Sequence, residues 1–273
     1  MSEPTPRSVA RRRRSRIRVA LLIGVVVVLG GAGGVIAATQ GGGSGGSSHQ
    51  AAATTLQPTS SSSSSDVHVD LGALPMRSAT TKSGDLTVYS APAADAKPIE
   101  TLAKITEYKQ PRTLLAFDQY QDYLRVYLPT RPNSSTGWVK ASDVNVSGPL
   151  EYQIKVSLAQ HKLWLLHNGQ VQLEAGTAIG AKEFPTPTGT YYITDPVDLR
   201  ADPSGPYGAY ALGLSGHSDV LTEFAGSDGQ IAIHGTPNPS DIGKDVSHGC
   251  VRVTNDTILK LSTLPLGTPV VIT

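Results

Sequence analysis

The sequence has one cysteine among 273 residues, and charged residues make up only 16% of it. One cysteine cannot form a disulfide within the chain, so a disulfide-stapled fold is excluded. No internal repeat is present, which excludes a solenoid or repeat array. Two roles remain for the lone Cys250: a small buried apolar residue, or a reactive thiol.

The formal net charge of +1 hides two oppositely charged parts. Seven arginines, including the run Arg11 to Arg14, lie in the first 18 residues against one acid, Glu3. The rest of the chain holds 16 Lys and Arg against 21 Asp and Glu, a net charge of about −5. That balance excludes a broad basic surface, so no nucleic-acid partner is expected.

Residues 19–38, VALLIGVVVVLGGAGGVIAA, form an uncharged run of the length that crosses a bilayer as a helix. Arginines before it and none just after it place the N-terminus in the cytoplasm. A cleaved signal peptide is the alternative, although the run is long for one and the exit, VIAATQ, matches a cleavage site poorly. We expect a basic cytoplasmic segment at 1–18, a transmembrane anchor at 19–38 and an extracytoplasmic remainder.

Residues 39–70 are rich in Gly and Ser and predict a flexible linker. From 71 to 148, short alternating runs are separated by turn residues, which is typical of a small all-β barrel. Leu124, Val126 and Leu128 share one face of a predicted strand, and Arg125 and Tyr127 share the other. The stretch GWVKASDV resembles a bacterial SH3-like domain.

Residues 149–273 again predict mainly β-structure. Asn168-Gly169 stands between two apolar runs and predicts a hairpin. TNDTILKLSTLPLG holds a capping residue followed by Ile258, Leu259, Leu261 and Leu264, which predicts a short helix of two to three turns after the cysteine. TPVVIT predicts a closing strand, and Trp138 and Trp164 are predicted to be core aromatics.

Chemistry is concentrated in two stretches, IAIHGT around His234 and SHGCVRV around Cys250. His234 is predicted at the end of one strand and Cys250 at the head of another. If the strands are neighbours, the histidine can take the proton of the thiol. Gly249 permits a tight backbone, and the amides of His248, Gly249 and Cys250 could then bind an oxyanion.

The spacing of HGT and SHGCVRV resembles the signature of the L,D-transpeptidase (YkuD-type) catalytic domain. TPTGTYYI, YGAYALGLSGHSDV and LGTPVVI stand in the expected order, so the resemblance covers essentially all of residues 150–273. It implies a β-rich domain and a cysteine-dependent acyltransferase.

The resemblance implies a role for each matching position. Cys250 would attack the carbonyl of the third residue of a peptidoglycan tetrapeptide stem and expel D-alanine. His234 would be the general base, oriented by the carbonyl of Gly235, and the amides of His248, Gly249 and Cys250 would hold the oxyanion. An amine of a second stem would then take the acyl group, and no nucleotide, metal or other cofactor is needed.

The same resemblance implies partners and a place of action. The expected partners are donor and acceptor stem peptides, carbapenem-type inhibitors and the cytoplasmic membrane. The catalytic domain would face the cell wall and act in wall biogenesis and cell shape. Two other functions fit the residues: an inactive wall-binding protein, and an L,D-carboxypeptidase that uses water as acceptor.

Several nearby side chains leave more than one interpretation open. Arg252 either supports the site and meets a substrate carboxylate, or forms a salt bridge that holds the loop. Ser247, Tyr210, Ser215 and His217 are candidate substrate contacts in and beside a flap. A zinc site from His234, His248 and Cys250 has suitable ligand types but lacks an evident fourth ligand.

Overall fold

The computed structural model describes residues 75–224 and 226–273. The predicted cytoplasmic segment, anchor and linker, residues 1–18, 19–38 and 39–70, lie outside the described residues. Within the described ranges, no helix combines the length and the apolar character needed to cross a membrane. Within them strand is far more abundant than helix, which confirms the predicted mainly β class.

Seven strands form the first sheet, and all of its pairs are antiparallel. They are β1 (Arg77–Thr81), β2 (Leu86–Tyr89), β3 (Pro98–Leu102), β4 (Thr113–Tyr120), β5 (Tyr123–Tyr127), β6 (Thr136–Lys140) and β7 (Val144–Pro149). Their spatial order is β3-β2-β6-β5-β4-β1-β7. Leu124, Val126 and Leu128 are buried as the alternation predicts. The SH3-like assignment of residues 71–148 stays a prediction.

The remaining strands and the helix follow from residue 152 onward. They are β8 (Tyr152–Ser157), β9 (Lys162–His167), β10 (Gln170–Gly176), β11 (Ile179–Gly180), β12 (Gly189–Asp198), β13 (Tyr210–His217), β14 (Gln230–His234), β15 (Asp245–Ser247), β16 (Val251–Arg252), α1 (Asn255–Leu261) and β17 (Pro269–Ile272). Eight of these strands form the second sheet, in the order β10-β9-β8-β17-β12-β13-β14-β16, and β11 pairs with β15.

Local sequence signals account for the turn and the helix of this second part. Asn168 and Gly169 both have positive φ, 50° and 78°, and join β9 to β10 as the predicted hairpin. The Thr254 hydroxyl accepts a hydrogen bond from the amide of Thr257 at 3.2 Å, which caps α1. Both predictions are confirmed, and β17 confirms the closing strand.

Two parallel pairs distinguish the second sheet from the first: β17 with β8, and β14 with β16. Parallel neighbours need a crossover rather than a tight turn. Between β14 and β16 the chain passes through a 3₁₀ turn, Pro239–Asp241, and through β15 before it returns. Ile233 then pairs with Val251, so the two strands predicted to be neighbours are neighbours.

Each sheet has its own apolar core, and one side chain joins them. Tyr192 extends from β12 of the second sheet into the core of the first and is fully buried. Its hydroxyl donates to the backbone carbonyl of Tyr127 at 3.2 Å. Full burial of a large apolar side chain contributes about 1.5–3 kcal/mol, so this residue fastens the two sheets.

The two tryptophans are not core residues, and that prediction is wrong. Trp164 alternates with the buried Leu163 and Leu165, so it faces away from the core, where its Nε1 donates to Glu174 at 3.0 Å. Trp138 is half-buried under the guanidinium of Arg125, 5.9 Å from the ring centre. Strand alternation therefore decided the side on which these rings lie.

Candidate active site

The parallel register of β14 and β16 brings His234 and Cys250 to one face of the sheet. Ile233 and Val251 are paired and belong to the core, at 0% and 1% exposure. Side chains alternate along a strand, so their neighbours His234 and Cys250 face the opposite side. The same register sets Cys250 beside Ala232, two residues or about 7 Å along the strand from His234.

His234 is held in one orientation and kept neutral. Its Nδ1 donates to the carbonyl of Gly235 at 2.6 Å, which leaves Nε2 as the acceptor of the neutral ring. Burial lowers the pKa of His234 to about 4, although the hydrogen bond to Gly235 opposes the shift. The ring of Tyr207 packs edge-on against the imidazole, with 5.0 Å between ring centres.

Cys250 is a free, partly exposed cysteine directly before β16. Burial of the thiol raises its pKa, while a hydrogen bond from the backbone of Ala232 and the charge of Arg252 lower it. The resting pair is therefore a thiol beside a neutral imidazole. In such a pair, a thiol reacts as a nucleophile only when a neighbouring base takes its proton during the attack.

The loop before the thiol is shaped by Ser247 and Gly249. The buried Ser247 hydroxyl accepts from the amide of Gly249 at 3.1 Å and donates to the carbonyl of Cys250 at 2.6 Å. Gly249 has a φ of +116°, a conformation that side chains other than glycine rarely adopt. Ser247, predicted as a substrate contact, thus holds the loop.

The hydrogen bond from the Gly249 amide to Ser247 shows which of the three amides predicted to bind the oxyanion are free to do so. The amide of Gly249 is already bound to Ser247. Within residues 75–224 and 226–273, the amides of His248 and Cys250 donate no hydrogen bond. Two donors flanking Gly249 are therefore available for developing negative charge beside the thiol.

The His248 side chain is exposed and lies between two aromatic rings. Phe184 lies 4.9 Å from it and Phe224, in the β13–β14 loop, lies 5.1 Å from it on ring centres. The chain has three phenylalanines, and two of them contact this histidine. Sequence reasoning missed both, because each lies in a loop where no hydrophobic period marks it.

Arg252 forms the salt bridge that was one of its two interpretations. Its Nη1 lies 3.2 Å from Asp241 Oδ2, and both side chains are 23% exposed. The backbone of Arg252 also exchanges hydrogen bonds with Ala178, at 2.8 and 2.9 Å. Because Asp241 lies in the loop between His234 and Cys250, this ion pair fastens the loop that returns the thiol.

Tyr207 reaches His234 because glycines allow two backbones to meet. A Cβ on Gly208, whose φ is +63°, would collide with Asn255 Oδ1 and with the backbone of Gly235. Asn255 Oδ1 instead accepts from the amide of Ala209 at 2.9 Å. The helix start therefore fixes the loop that carries Tyr207, a contact that no sequence signal identified.

The three candidate substrate contacts of the flap each have a packing or hydrogen-bond partner within the second sheet or the loop that follows β13. Tyr210 packs against the core of the second sheet, and the Ser215 hydroxyl accepts from the amide of Tyr192 at 3.2 Å. His217 is 5% exposed and its Nε2 lies 2.9 Å from Asp228 Oδ2.

The first sheet holds the start of the β13–β14 loop. Arg131 Nη2 donates to the carbonyls of Ser218 and Leu221, at 3.2 and 2.9 Å. Asn133 Nδ2 donates to the carbonyl of His217 at 2.7 Å, and its Oδ1 accepts from the amide of His217 at 2.9 Å. Residues between β5 and β6 thus position the loop that carries Phe224.

The zinc alternative finds no geometric support in the described part of the chain. There, no three His, Cys, Asp or Glu side chains converge closely enough to hold a metal ion. His234, His248 and Cys250 have the ligand types but not the arrangement.

Comparison with known proteins identifies the family of the second part of the chain. Residues 151–272 match the family model described as YkuD, L,D-transpeptidase catalytic domain. The chain is 33% identical over 151 residues to "Putative L,D-transpeptidase YkuD" of Bacillus subtilis, covering 53% of this chain and 83% of the relative. It is 32% identical over 185 residues to the protein of the same name from Bacillus licheniformis, covering 65% and 96%.

Among solved structures, the chain is similar to the Enterococcus faecium L,D-transpeptidase C442S mutant. The identity is 20%, the TM-score is 0.36, and the alignment covers 53% of this chain and 71% of the other. A likeness of that degree adds nothing to what the sequence relatives establish.

Proposed function

This chain belongs to the YkuD-type L,D-transpeptidase family, and we propose that it crosslinks peptidoglycan stem peptides with Cys250 as nucleophile. The observation that carries the proposal is the position of His234 and Cys250 on one sheet face, with the imidazole oriented by Gly235. Thiol, oriented base and unengaged amides are the parts that acyl transfer needs.

The first half-reaction forms a thioester. Cys250 Sγ attacks the carbonyl carbon of the third residue of a donor tetrapeptide as His234 Nε2 takes the thiol proton. The amides of His248 and Cys250 stabilise the oxyanion of the tetrahedral intermediate. The intermediate collapses with cleavage of the bond to D-alanine, whose amine takes the proton from His234 as it leaves.

The second half-reaction returns the thiol. The side-chain amine of an acceptor stem attacks the thioester carbonyl, His234 takes a proton from that amine, and the sulfur leaves and is reprotonated. One amide bond is broken and one is made, and the thioester carries the acyl group between them. The chemistry therefore requires no nucleotide.

The neutral state of the pair suits this sequence of steps. A pKa of about 4 keeps His234 deprotonated, and so able to act as a base, throughout the physiological range. A raised pKa keeps Cys250 protonated until substrate arrives, which protects a lone thiol in an oxidising compartment because oxidation proceeds through the thiolate.

The place of action belongs to the same proposal. An anchor at residues 19–38 and a linker at 39–70 would hold the enzyme on the outer side of the cytoplasmic membrane, within reach of the wall. Residues 71–148 would act as an SH3-like positioning domain and residues 149–273 as the catalytic domain. Carbapenems, which carry a strained acylating carbonyl, would acylate Cys250.

The test uses the full-length chain in detergent, wild type and Cys250→Ala, with tetrapeptide muropeptides and mass spectrometry. We expect dimers lacking one D-alanine from the wild type and a fall of at least about 10³-fold in the variant. A carbapenem should add its mass to the wild type alone. Tripeptide monomers without dimers would move the acceptor to water, and unchanged substrate with folded wild type would favour a wall-binding protein.

A further inference from the structure

The loop between β12 and β13 is tied to the first turn of α1 by one side chain. Asn255, the first residue of that helix, accepts a hydrogen bond from the amide of Ala209 through Oδ1 at 2.9 Å. Its Nδ2 donates to the carbonyl of Pro203 at 3.3 Å. One side-chain amide therefore bonds both ends of residues 203–209, the Tyr207 loop.

The same Asn255 oxygen lies against the turn that follows the candidate base. A Cβ added to Gly235 would collide with Asn255 Oδ1, and a Cβ added to Gly208 would collide with the same atom. Only glycine allows the three chain segments to approach so closely. Gly235 is also the residue whose carbonyl accepts from His234 Nδ1. Asn255 therefore contacts the residue that orients the imidazole as well as the loop beside it.

The Tyr207 loop brings one aromatic ring to the imidazole of His234. The two ring centres lie 5.0 Å apart with their planes at 68°, an edge-on contact that leaves no room for water between the rings. His234 is 3% exposed, and burial is the main cause of its lowered pKa. Burial in turn raises the pKa of Tyr207, so its hydroxyl stays protonated. The ring of Tyr207 therefore contributes to the burial that keeps His234 neutral.

One permanent charge faces His234 from the elements packed around it. In β16, Arg252 pairs with His234 in register, and the neutral thiol of Cys250 directly precedes that strand. In β13, the residue opposite His234 is the uncharged Ala211. After burial, the charge of Arg252 lowers the pKa of His234 further, and the loop before β15 adds Asp241, which is paired with Arg252. Loosening the Tyr207 loop would thus admit water to His234 without adding a charge.

We propose that Asn255 is a positioning residue of the reaction, which holds Gly235 and the Tyr207 loop around His234 so that the imidazole keeps its orientation and stays dry. The kinetic part of the inference rests on the proposed function, and the structural part does not. Asn255 acts through two neighbours, the carbonyl of Gly235 on Nδ1 and the ring of Tyr207 beside the imidazole. The simpler alternative is that Asn255 only stabilises the start of α1.

The first experiment compares the full-length wild type with Asn255→Ala in detergent and needs no substrate. Exchange of the imidazole C2 hydrogen of His234 for deuterium, followed by mass spectrometry across a pH series, reports both the pKa of the ring and its access to water. The wild-type pKa lies at about 4. In Asn255→Ala the pKa should rise to about 5 or above, and exchange should quicken, because hydration favours the charged ring.

Release of D-alanine from a tetrapeptide gives the kinetic counterpart. His234 acts as a base only when it is unprotonated, so kcat/KM falls as the pH drops through its pKa. The acid limb of the profile should therefore lie at higher pH in Asn255→Ala than in the wild type. At pH 7 the variant should also lose about tenfold in kcat/KM, because the base is less well aligned with the thiol.

Two controls on the same helix separate positioning from stability. Thr254→Ala removes the cap of α1 and leaves both hydrogen bonds of Asn255 in place. It should lower the melting temperature and keep the wild-type pKa of His234. Asp256→Asn changes the exposed neighbour of Asn255 and should leave the melting temperature and the pKa of His234 near their wild-type values.

Two substitutions in the loop test the ring itself. Tyr207→Leu removes the aromatic ring and should raise the pKa of His234 as Asn255→Ala does. Tyr207→Phe keeps the ring and should stay close to the wild type in the same exchange measurement. The double variant Asn255→Ala/Tyr207→Leu should shift the pKa little beyond the larger single shift, because both changes disrupt the same contact.

Failure of the inference and failure of the proposed function give different readings. A folded Asn255→Ala protein with wild-type exchange at His234 would overturn the positioning role, and so would a Thr254→Ala protein that shifts the pKa as far. No D-alanine release by the folded wild type would overturn the proposed function. In that case the exchange measurements would still decide whether Asn255 keeps His234 dry.

Discussion

The two sheets differ in how they bring residues together. The first is wholly antiparallel, and three of its six neighbouring pairs join strands that are consecutive in sequence. The second contains the parallel pair β14–β16, whose sixteen-residue connection lets His234 and Cys250 meet. The candidate catalytic pair therefore lies where a crossover connection places two strands side by side. A loop of the first sheet holds the neighbouring β13–β14 loop.

The largest effect should come from the base in the second sheet. His234→Gln removes the proton acceptor while keeping a polar side chain, so kcat/KM should fall by about 10²–10⁴-fold. Steady-state D-alanine release measures it. As the opposite case, Leu114→Ala in the first core should cost roughly 2–5 kcal/mol of unfolding free energy and leave kcat/KM per folded molecule unchanged. Equal loss of kcat/KM in His234→Gln and Leu114→Ala would contradict the distinction between a catalytic second sheet and a structural first sheet.

A glycine beside the nucleophile should have the next largest effect. Gly249→Ala forces a side chain into a φ of +116°, although the nearest atoms to the new Cβ would be 3.7 Å away. The cost is therefore backbone strain of roughly 1–3 kcal/mol rather than a clash. We expect a 10–100-fold loss of kcat/KM with the fold retained. Wild-type kinetics for the alanine variant would contradict the proposed role of this loop.

A smaller effect should cross from the first sheet into the second. Arg131→Ala removes the hydrogen bonds to Ser218 and Leu221, and hydrogen exchange of the β13–β14 loop should quicken. We expect kcat/KM to fall by about three- to tenfold, because Phe224 is no longer held over His248. Lys97→Ala, an exposed cation elsewhere on this sheet, is the control. Unchanged hydrogen exchange of the β13–β14 loop and unchanged kcat/KM in Arg131→Ala would show that the first sheet does not influence the site.

The smallest effect is a displacement of pH profiles. Since burial raises the pKa of Cys250, alkylation by iodoacetamide should still be rising above pH 9, where an ordinary thiol levels off. The pKa of His234 is lowered from the ordinary histidine value of 6.5 to about 4. Turnover should therefore fall through protonation of His234 only at pH values well below 6.5. A plateau of alkylation near pH 7 would instead indicate a preformed thiolate–imidazolium pair.

Much of the fold was readable from local pattern. The Asn168-Gly169 hairpin, the Thr254 cap and the buried face of β5 each depend on a few adjacent residues, and each was predicted correctly. The tryptophans were not, because a bulky ring says nothing about which side of a strand it occupies. Alternation with buried leucines placed Trp164 outside.

The pairing of His234 with Cys250 follows from the amino-acid sequence alone, since both positions are marked by motifs at the ends of strands. Their surroundings depend on the tertiary fold. Phe184, Tyr207 and Phe224 come from three different loops and carry no shared spacing, so nothing short of strand register and loop packing could place them against His248 and His234. Motifs encode local geometry, whereas a binding site is a sum of contacts between residues distant in sequence.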